Sequence, residues 1–371
     1  MRSLVSGSSR ERVLIVGLAA ADPVVKAIRS RRSHRHVVIG VVDDETASGC
    51  RPADCPLLGP LCRLGEIVEQ VHPDRVLLGL AERRRRTPLR ALIESCVAAG
   101  IIVEEATDFC ERLTGKLAIE SLTPTSIGFG RRVGPSRRHQ ALARVTSLAI
   151  AACGLVLLSP LFALIALAVK LDSTGPVLFQ QVRVGLRGRP FKLLKVRTMH
   201  PSSESRSEWE CDNRHRVTRV GRLLRAFRLD ELPQFVNVVR GDMNLVGPRP
   251  HPLSNFELFT LVSRNLNERT GAAVTYYALR TMIRPGLTGW AQVRYRYANN
   301  LDEEIEKLRY DLYYVKHTSI WLDLRILLET VKVMLFGHVA NAEDAPAAAR
   351  PTRAAAAPLA LPASANQTHA A

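Results

Sequence analysis

Two adjacent carboxylates, in Arg228-Leu229-Asp230-Glu231-Leu232-Pro233-Gln234, follow a run of arginines at 216, 219, 222, 225 and 228. That combination suits chemistry on a phosphorylated substrate. A carboxylate at a helix N-terminus is held ionised by backbone amides and the helix dipole, and phosphates bind at the same place. An ionised carboxylate beside a bound phosphate is a nucleophile. The same residues also read as a plain helix start, with Asp230 as N-cap, Pro233 in the first turn and the helix running over Leu232 to Val239. Arginines three apart drift about 60° per step around a helix, so all five do not share a face. Some would face lipid phosphate or solvent while others reach a substrate.

The elements that must position these residues include an apolar one. From Val145 to Val169 there is no charged residue, and at about 1.5 Å per residue the stretch is long enough to cross a hydrocarbon core of about 30 Å. Arg131, Arg132, Arg137, Arg138 and Arg144 precede it, and Lys170, Arg183, Arg187 and Arg189 follow. By the positive-inside rule both ends are cytoplasmic. Pro160 lies mid-segment, where it removes a helical hydrogen bond, and Ser159 beside it can satisfy the freed backbone. A helix-break-helix that enters and leaves by one face meets both conditions; a kinked spanning helix is the alternative. The N-terminal MRSLVSGSSRERVLIVG has too short an apolar run for a secretory signal. The formal net charge of +17 attracts anionic lipid, phosphorylated substrates or nucleic acid. Seven scattered cysteines without a C-x-x-C pair argue against a zinc site or a disulfide framework and for a reducing compartment.

Along the chain, residues 1–11 read as a flexible N-terminus and 12–125 as a Rossmann-like α/β domain. In the latter RVLIVG, HVVIGVVDDE, RVLLGLAE and IIVEEA are strands of a parallel sheet, with helices over Val24–Ile28 and Leu89–Ala99. Asp43-Asp44 ends the second strand, where a dinucleotide-binding domain would hold a ribose. The turn after the first strand, Gly17-Leu18-Ala19-Ala20-Ala21-Asp22, lacks the glycine fingerprint, so no dinucleotide is expected. Residues 126–140 read as a basic linker and 141–338 carry the membrane segment and the chemistry. Residues 339–371 form an Ala/Pro-rich tail expected to be disordered.

Five blocks occur in order: Phe191-Lys192-Leu193-Leu194-Lys195-Val196-Arg197-Thr198-Met199; Leu229-Asp230-Glu231-Leu232-Pro233-Gln234; Gly241-Asp242-Met243-Asn244-Leu245-Val246-Gly247-Pro248-Arg249-Pro250; Arg284-Pro285-Gly286-Leu287-Thr288-Gly289-Trp290-Ala291-Gln292-Val293; and Tyr310-Asp311-Leu312-Tyr313-Tyr314-Val315-Lys316-His317. In this the chain resembles the bacterial sugar transferases, the polyprenyl-phosphate phosphoglycosyl transferases that initiate exopolysaccharide and other surface glycans. The resemblance implies a monotopic enzyme on the cytoplasmic face of the cytoplasmic membrane. A re-entrant helix broken at Ser159-Pro160 would anchor an α+β transferase domain with amphipathic interfacial helices, such as Trp321–Phe336. It implies that Asp230 attacks the sugar-proximal phosphate of a UDP-sugar, expels UMP and passes the phosphosugar to undecaprenyl phosphate. Glu231 would share Mg²⁺ (or Mn²⁺) with Asp230 or handle protons. Arg249, between rigid prolines, suits bidentate phosphate binding. Lys195, Arg197, Arg225, Arg284 and Asp311 match family positions as substrate-binding residues or as their supports. Membrane lipids are implied partners, and a homo-oligomer is compatible with the resemblance.

Larger relatives carry spanning helices before the α/β domain, and this chain shows none. Arg214-His215-Arg216-Val217-Thr218 and Val293-Arg294-Tyr295-Arg296-Tyr297 depart from the usual Asp-Pro-Arg-Val-Thr and Asn-Gly-Arg, which leaves the sugar open. A nucleotide-sugar dehydratase or epimerase would need a G-x-x-G-x-x-G turn and a Tyr-x-x-x-Lys pair, neither of which is found. A nucleic-acid-binding protein would explain the charge but not the uncharged segment, so nucleic acid is not an expected partner.

Overall fold

The computed structural model describes residues 10–30, 35–44, 55–79, 96, 98–117, 136–200, 216–253, 277–295 and 301–336. The predicted N-terminal segment up to residue 9, the tail, and most of the Leu89–Ala99 helix and of the basic linker lie outside them.

Strand β1 (Glu11–Val16) is the centre of a parallel sheet, and its Val13, Leu14, Ile15 and Val16 are fully buried, as a strand covered on both faces requires. Beside it run β2 (His36–Val42) and β4 (Arg75–Leu78), with β3 (Leu57–Gly59) and β5 (Ile102–Glu105) outermost, in the order β3-β2-β1-β4-β5. Side chains alternate between faces. Leu14 and Val16 pack with Leu64, Ile67 and Val68 of α2 (Leu64–Val71). Val13 and Ile15 pack with Val24 of α1 (Ala21–Ser30) and Phe109 of α3 (Ala106–Thr114). The expected acidic pair does end β2, but it works on the backbone: Asp43 Oδ2 accepts the Leu18 amide at 2.6 Å and Asp44 Oδ1 the Leu61 amide at 2.7 Å.

Two helices follow, α4 (Arg137–Leu157) and α5 (Ser159–Asp172). The basic stretch predicted as linker up to Gln140 is helical from Arg137, because Ser136 Oγ accepts the His139 amide at 3.2 Å as an N-cap. Pro160 falls in the first turn of α5, where a missing N–H is tolerated. The carbonyl that its absent N–H would have served, four residues back, is Val156 O. It accepts instead from Ser159 Oγ at 2.8 Å. By length and composition α4 is long and apolar enough to cross a membrane. Val156, Leu157, Leu164, Leu167 and Leu171 are exposed, while Ile165 and Val169 pack on Val196 and Leu224.

The remainder surrounds two short sheets. An antiparallel hairpin pairs β6 (Leu178–Val184) with β7 (Pro190–Val196). A parallel pair joins β8 (Asn244–Val246) to β9 (Gly286–Thr288). A Cβ on Gly286 would lie 2.1 Å from the Gly247 amide nitrogen, so the backbones of this pair meet where no side chain fits. Helices α6 (Arg219–Ala226), α7 (Gln234–Arg240), α8 (Trp290–Arg294), α9 (Leu301–Lys316) and α10 (Ile320–Phe336) complete the described α-helices, and a 3-10 helix covers Tyr277–Met282. Leu245, Val246, Trp290, Tyr310, Tyr314 and Ile326 form a core shared by β8, α8, α9 and α10. In α10, the helix expected to be amphipathic, Trp321, Leu324, Leu328 and Val331 are exposed while Ile326 is buried. The parallel sheet joins this body through α3: Trp290 Nε1 donates to Gly115 O at 2.9 Å, Leu117 N to Arg309 O at 3.0 Å, and Lys316 pairs with Glu111 at 2.7 Å.

Candidate active site

The helix predicted to start at Asp230 starts later. After α6 the chain reverses at Arg228, in the left-handed region at φ 54°, and Leu229–Glu231 close a single 3-10 turn. Pro233 then caps α7, which begins at Gln234. Asp230 is therefore not an N-cap. The arginine run divides likewise: Arg219, Arg222 and Arg225 belong to α6, Arg216 precedes it and Arg228 makes the turn.

Asn237 of α7 locks this turn against the hairpin. Fully buried, it accepts the Leu194 amide at 3.0 Å through Oδ1 and donates to Lys192 O at 2.8 Å through Nδ2. It bonds the edge of β7 as a neighbouring strand would. Lys195, one residue further, is thereby brought against the acidic turn.

The two carboxylates sit in different surroundings. Glu231 meets three cations: Arg249 Nη2 at 2.9 Å and Lys195 Nζ at 3.7 Å on Oε1, and Arg228 Nη1 at 3.6 Å on Oε2. Burial pushes its carboxyl up, but Arg249, Lys195 and Arg228 outweigh burial and hold it at about 2. Asp230 is 9% exposed, and among the described residues none hydrogen-bonds its carboxylate. Burial, then the neighbouring Glu231, raises its pKa against the pull of Lys195, Arg225 and Arg249. Lys195 is pushed down to about 8 by burial, with Arg249 and Arg183 adding to the effect and Glu231 opposing it. The turn thus presents one carboxylate fixed as an anion by cations and one bare carboxylate beside it.

Of the other predicted residues, Arg225 lies close enough to act on Asp230 while its Nε donates to Thr198 Oγ1 at 2.9 Å. Arg197 and Arg284 are used at helix C-termini, where a cation complements the dipole. Arg197 Nη2 donates to Ser173 O at 2.8 Å at the end of α5, and Arg284 Nε to Gly241 O at 3.1 Å at the end of α7. Asp311 is buried in an ion pair with Arg280 at 2.6 Å, apart from the dyad. Sequence reasoning passes over Asn237, His251, Tyr277 and Arg280, and reads Arg183 only as a charge flanking the apolar segment. Each has at least one partner distant in sequence, which no local spacing marks. A small cleft opens beside Arg249, lined by Val184, Gly185, Pro248, Pro250, His251 and Arg280 among others.

Among the described residues no group of three or more His, Cys, Asp or Glu is placed to hold a metal ion. The oxygen donors of Asp230 and Glu231 fit a hard divalent cation of the Mg²⁺ type, which takes one or two carboxylates together with substrate phosphate.

The family model for bacterial sugar transferases matches residues 138–337, the part that carries the apolar helices α4 and α5 and the dyad. The UDP-N-acetylgalactosamine-undecaprenyl-phosphate N-acetylgalactosaminephosphotransferase of Aeromonas hydrophila is 35% identical over 272 residues, 73% of this chain and 61% of that protein. The UDP-glucose:undecaprenyl-phosphate glucose-1-phosphate transferase of Caulobacter vibrioides is 44% identical over 195 residues, 52% of this chain and 69% of that protein. The protein of the same description in Escherichia coli is 40% identical over 196 residues, 52% of this chain and 40% of that protein. The chain thus spans less than two thirds of the first and the last of these. With the match covering more than half of its length, the chain belongs to the bacterial sugar transferase family.

Proposed function

We propose that this protein transfers a phosphosugar from a UDP-sugar to undecaprenyl phosphate, with Asp230 as covalent carrier, in the initiating step of a surface glycan. The observation that carries this reading is the asymmetry of the dyad: Glu231 is engaged by three cations, whereas Asp230 has no described hydrogen-bond partner. A nucleophile needs a lone pair that is not already donated to. An Asp230 oxygen attacks the sugar-proximal phosphorus, the bond to the bridging oxygen of UMP breaks, and UMP leaves with that electron pair. An oxygen of undecaprenyl phosphate then attacks the same phosphorus and releases the carboxylate. Neither step requires a proton on Asp230. Lys195 and Arg249, held by Glu231, offset the charge that builds on the phosphoryl oxygens. A divalent cation held by Asp230, Glu231 and the diphosphate would supply further charge compensation.

The anchor is read as re-entrant on the cytoplasmic face. The uncharged parts of α4 and α5, Val145–Leu157 and Ser159–Val169, each extend roughly 16–20 Å at the α-helical rise, so the uncharged run spans a core of about 30 Å only where both helices continue in one direction. Both ends are also bonded to the body that holds the dyad. Arg144 donates to Val239 O at 3.1 Å and Met243 O at 3.2 Å, and Asp172 Oδ2 accepts the Val220 amide at 3.0 Å.

Enzyme incubated with a UDP-sugar and Mg²⁺ but no lipid should release a burst of about one UMP per active site and gain a phosphosugar by intact mass. With lipid phosphate present, initial rates should follow ping-pong kinetics. Asp230→Asn should lose burst and adduct while staying membrane-bound, and chelation should suppress the burst. Intersecting double-reciprocal lines with no lipid-independent UMP would demote Asp230 to a ligand in direct transfer.

A further inference from the structure

Pro248 and Pro250 flank Arg249 and have no N–H, so this loop is held chiefly through its carbonyls. All four in a row are taken. Pro248 O accepts the Gly286 amide at 2.9 Å, Arg249 O accepts Arg280 Nη2 at 3.0 Å, Pro250 O accepts Arg183 Nη1 at 3.2 Å, and His251 O accepts the Val184 amide at 2.9 Å. The donor on Arg249 itself comes from a side chain that is 5% exposed and fixed on every side. Arg280 Nη2 also donates to Asp311 Oδ2 at 2.6 Å, and its Nη1 lies 2.9 Å from His251 Nε2 and 3.2 Å from the Tyr277 hydroxyl. For His251 Nε2 to accept from a guanidinium its ring must be neutral. Burial, then Arg280 and Lys307, disfavours a charged ring there.

An arginine side chain has several rotatable bonds, and its tip is placed only as well as its backbone is. The Arg249 guanidinium meets Glu231 at 2.9 Å from this loop. We propose that Arg280, seated by Asp311, is a positioning residue that fixes the Arg249 backbone so that the Arg249 guanidinium meets Glu231 and the donor diphosphate, with Arg183 as a second tie. The reaction it serves is the one put forward above. On this account Asp311 acts through Arg280 and Arg249 rather than on substrate.

A double-mutant cycle separates positioning from general support of the fold. Arg280→Gln should lower kcat/KM for UMP release about 10- to 100-fold, the scale of a misplaced catalytic group. In an Arg249→Ala background the same change should cost no more than about twofold, because its effect passes through Arg249. Arg280→Lys, which keeps the charge but not the fork, should recover only part of the loss. Equal fold-losses in both backgrounds would overturn the proposal. Should Arg280→Gln fail to fold, Arg183→Gln, which frees the Pro250 carbonyl together with the Gln181 side-chain oxygen, is put through the same cycle with the same criterion. Absence of UMP release in wild type would remove the reaction, not the loop. Deuterium uptake across residues 245–253 then decides, an increase of about tenfold in Arg280→Gln supporting the positioning role and unchanged uptake overturning it.

Discussion

At the scale of single residues, adjacent carboxylates differ in character because their neighbours do. Glu231 is already satisfied as an anion, at about 2, and Lys195 near it is the group whose charge changes in the working range, at about 8. Below that value Lys195 is a cation able to face a phosphoryl oxygen, and above it the charge is lost. UMP release should therefore hold up to about pH 8 and fall as pH rises through it. Lys195→Arg, which stays charged, should remove the alkaline limb; a limb that persists would place its origin elsewhere. On the acid side the rate should fall as Asp230 takes up a proton. Burial and Glu231 set that limb above the ordinary aspartate value.

At the scale of elements, two close fits carry the arrangement. A Cβ on Gly221 of α6 would lie 2.2 Å from Thr198 O, where backbone must give way. Gly221→Ala should destabilise the protein by about 1–3 kcal/mol, seen as a lower midpoint of thermal unfolding. It should also reduce activity, since Arg225 is carried on the same helix. The second fit is the Ser159-Pro160 break. Replacing both by leucine restores the N–H that Val156 O lacks and removes the ring clash, which favours one continuous helix. Cysteines introduced near Gly134 and Arg187 should be equally protected from an impermeant reagent in sealed wild-type cells and become unequal in the double leucine variant. Unequal labelling in wild type would establish a spanning helix.

At the scale of the whole molecule, the parallel sheet is joined to the body that holds the dyad by one end of α3. Gly115 ends that helix at φ 70°, and a Cβ there would touch the Trp290 ring at 3.0 Å. Trp290 stacks on Tyr313 and donates to Gly115 O, which makes it one of the ties, beside Leu117 N to Arg309 O and the Lys316–Glu111 pair, between the sheet and the body containing β9. Trp290→Phe keeps a ring but leaves a buried carbonyl without its donor. It should cost about 1–3 kcal/mol of stability, read by thermal unfolding. A loss below about 0.5 kcal/mol, the usual size for a substitution away from such features, would show that water replaces the bond.

The sequence by itself determined what rests on local covalent chemistry and short-range pattern. Runs of Val and Ile separated by helices specify β1, β2, β4 and β5 of the parallel sheet but not the short edge strand β3, a proline without an N–H marks the break that falls just before it at Leu158, and five short blocks identify the family. It also put Asp230 beside Glu231. Tertiary structure alone decided how those two carboxylates differ, because the cations on Glu231 include Lys195 and Arg249, from other elements of the fold. It likewise sent Arg197 and Arg284 to helix ends, and Asp311 to Arg280, 31 residues away in sequence. The charge state of a buried group depends on which charges lie within a few ångströms, and that neighbourhood exists only once distant segments have packed.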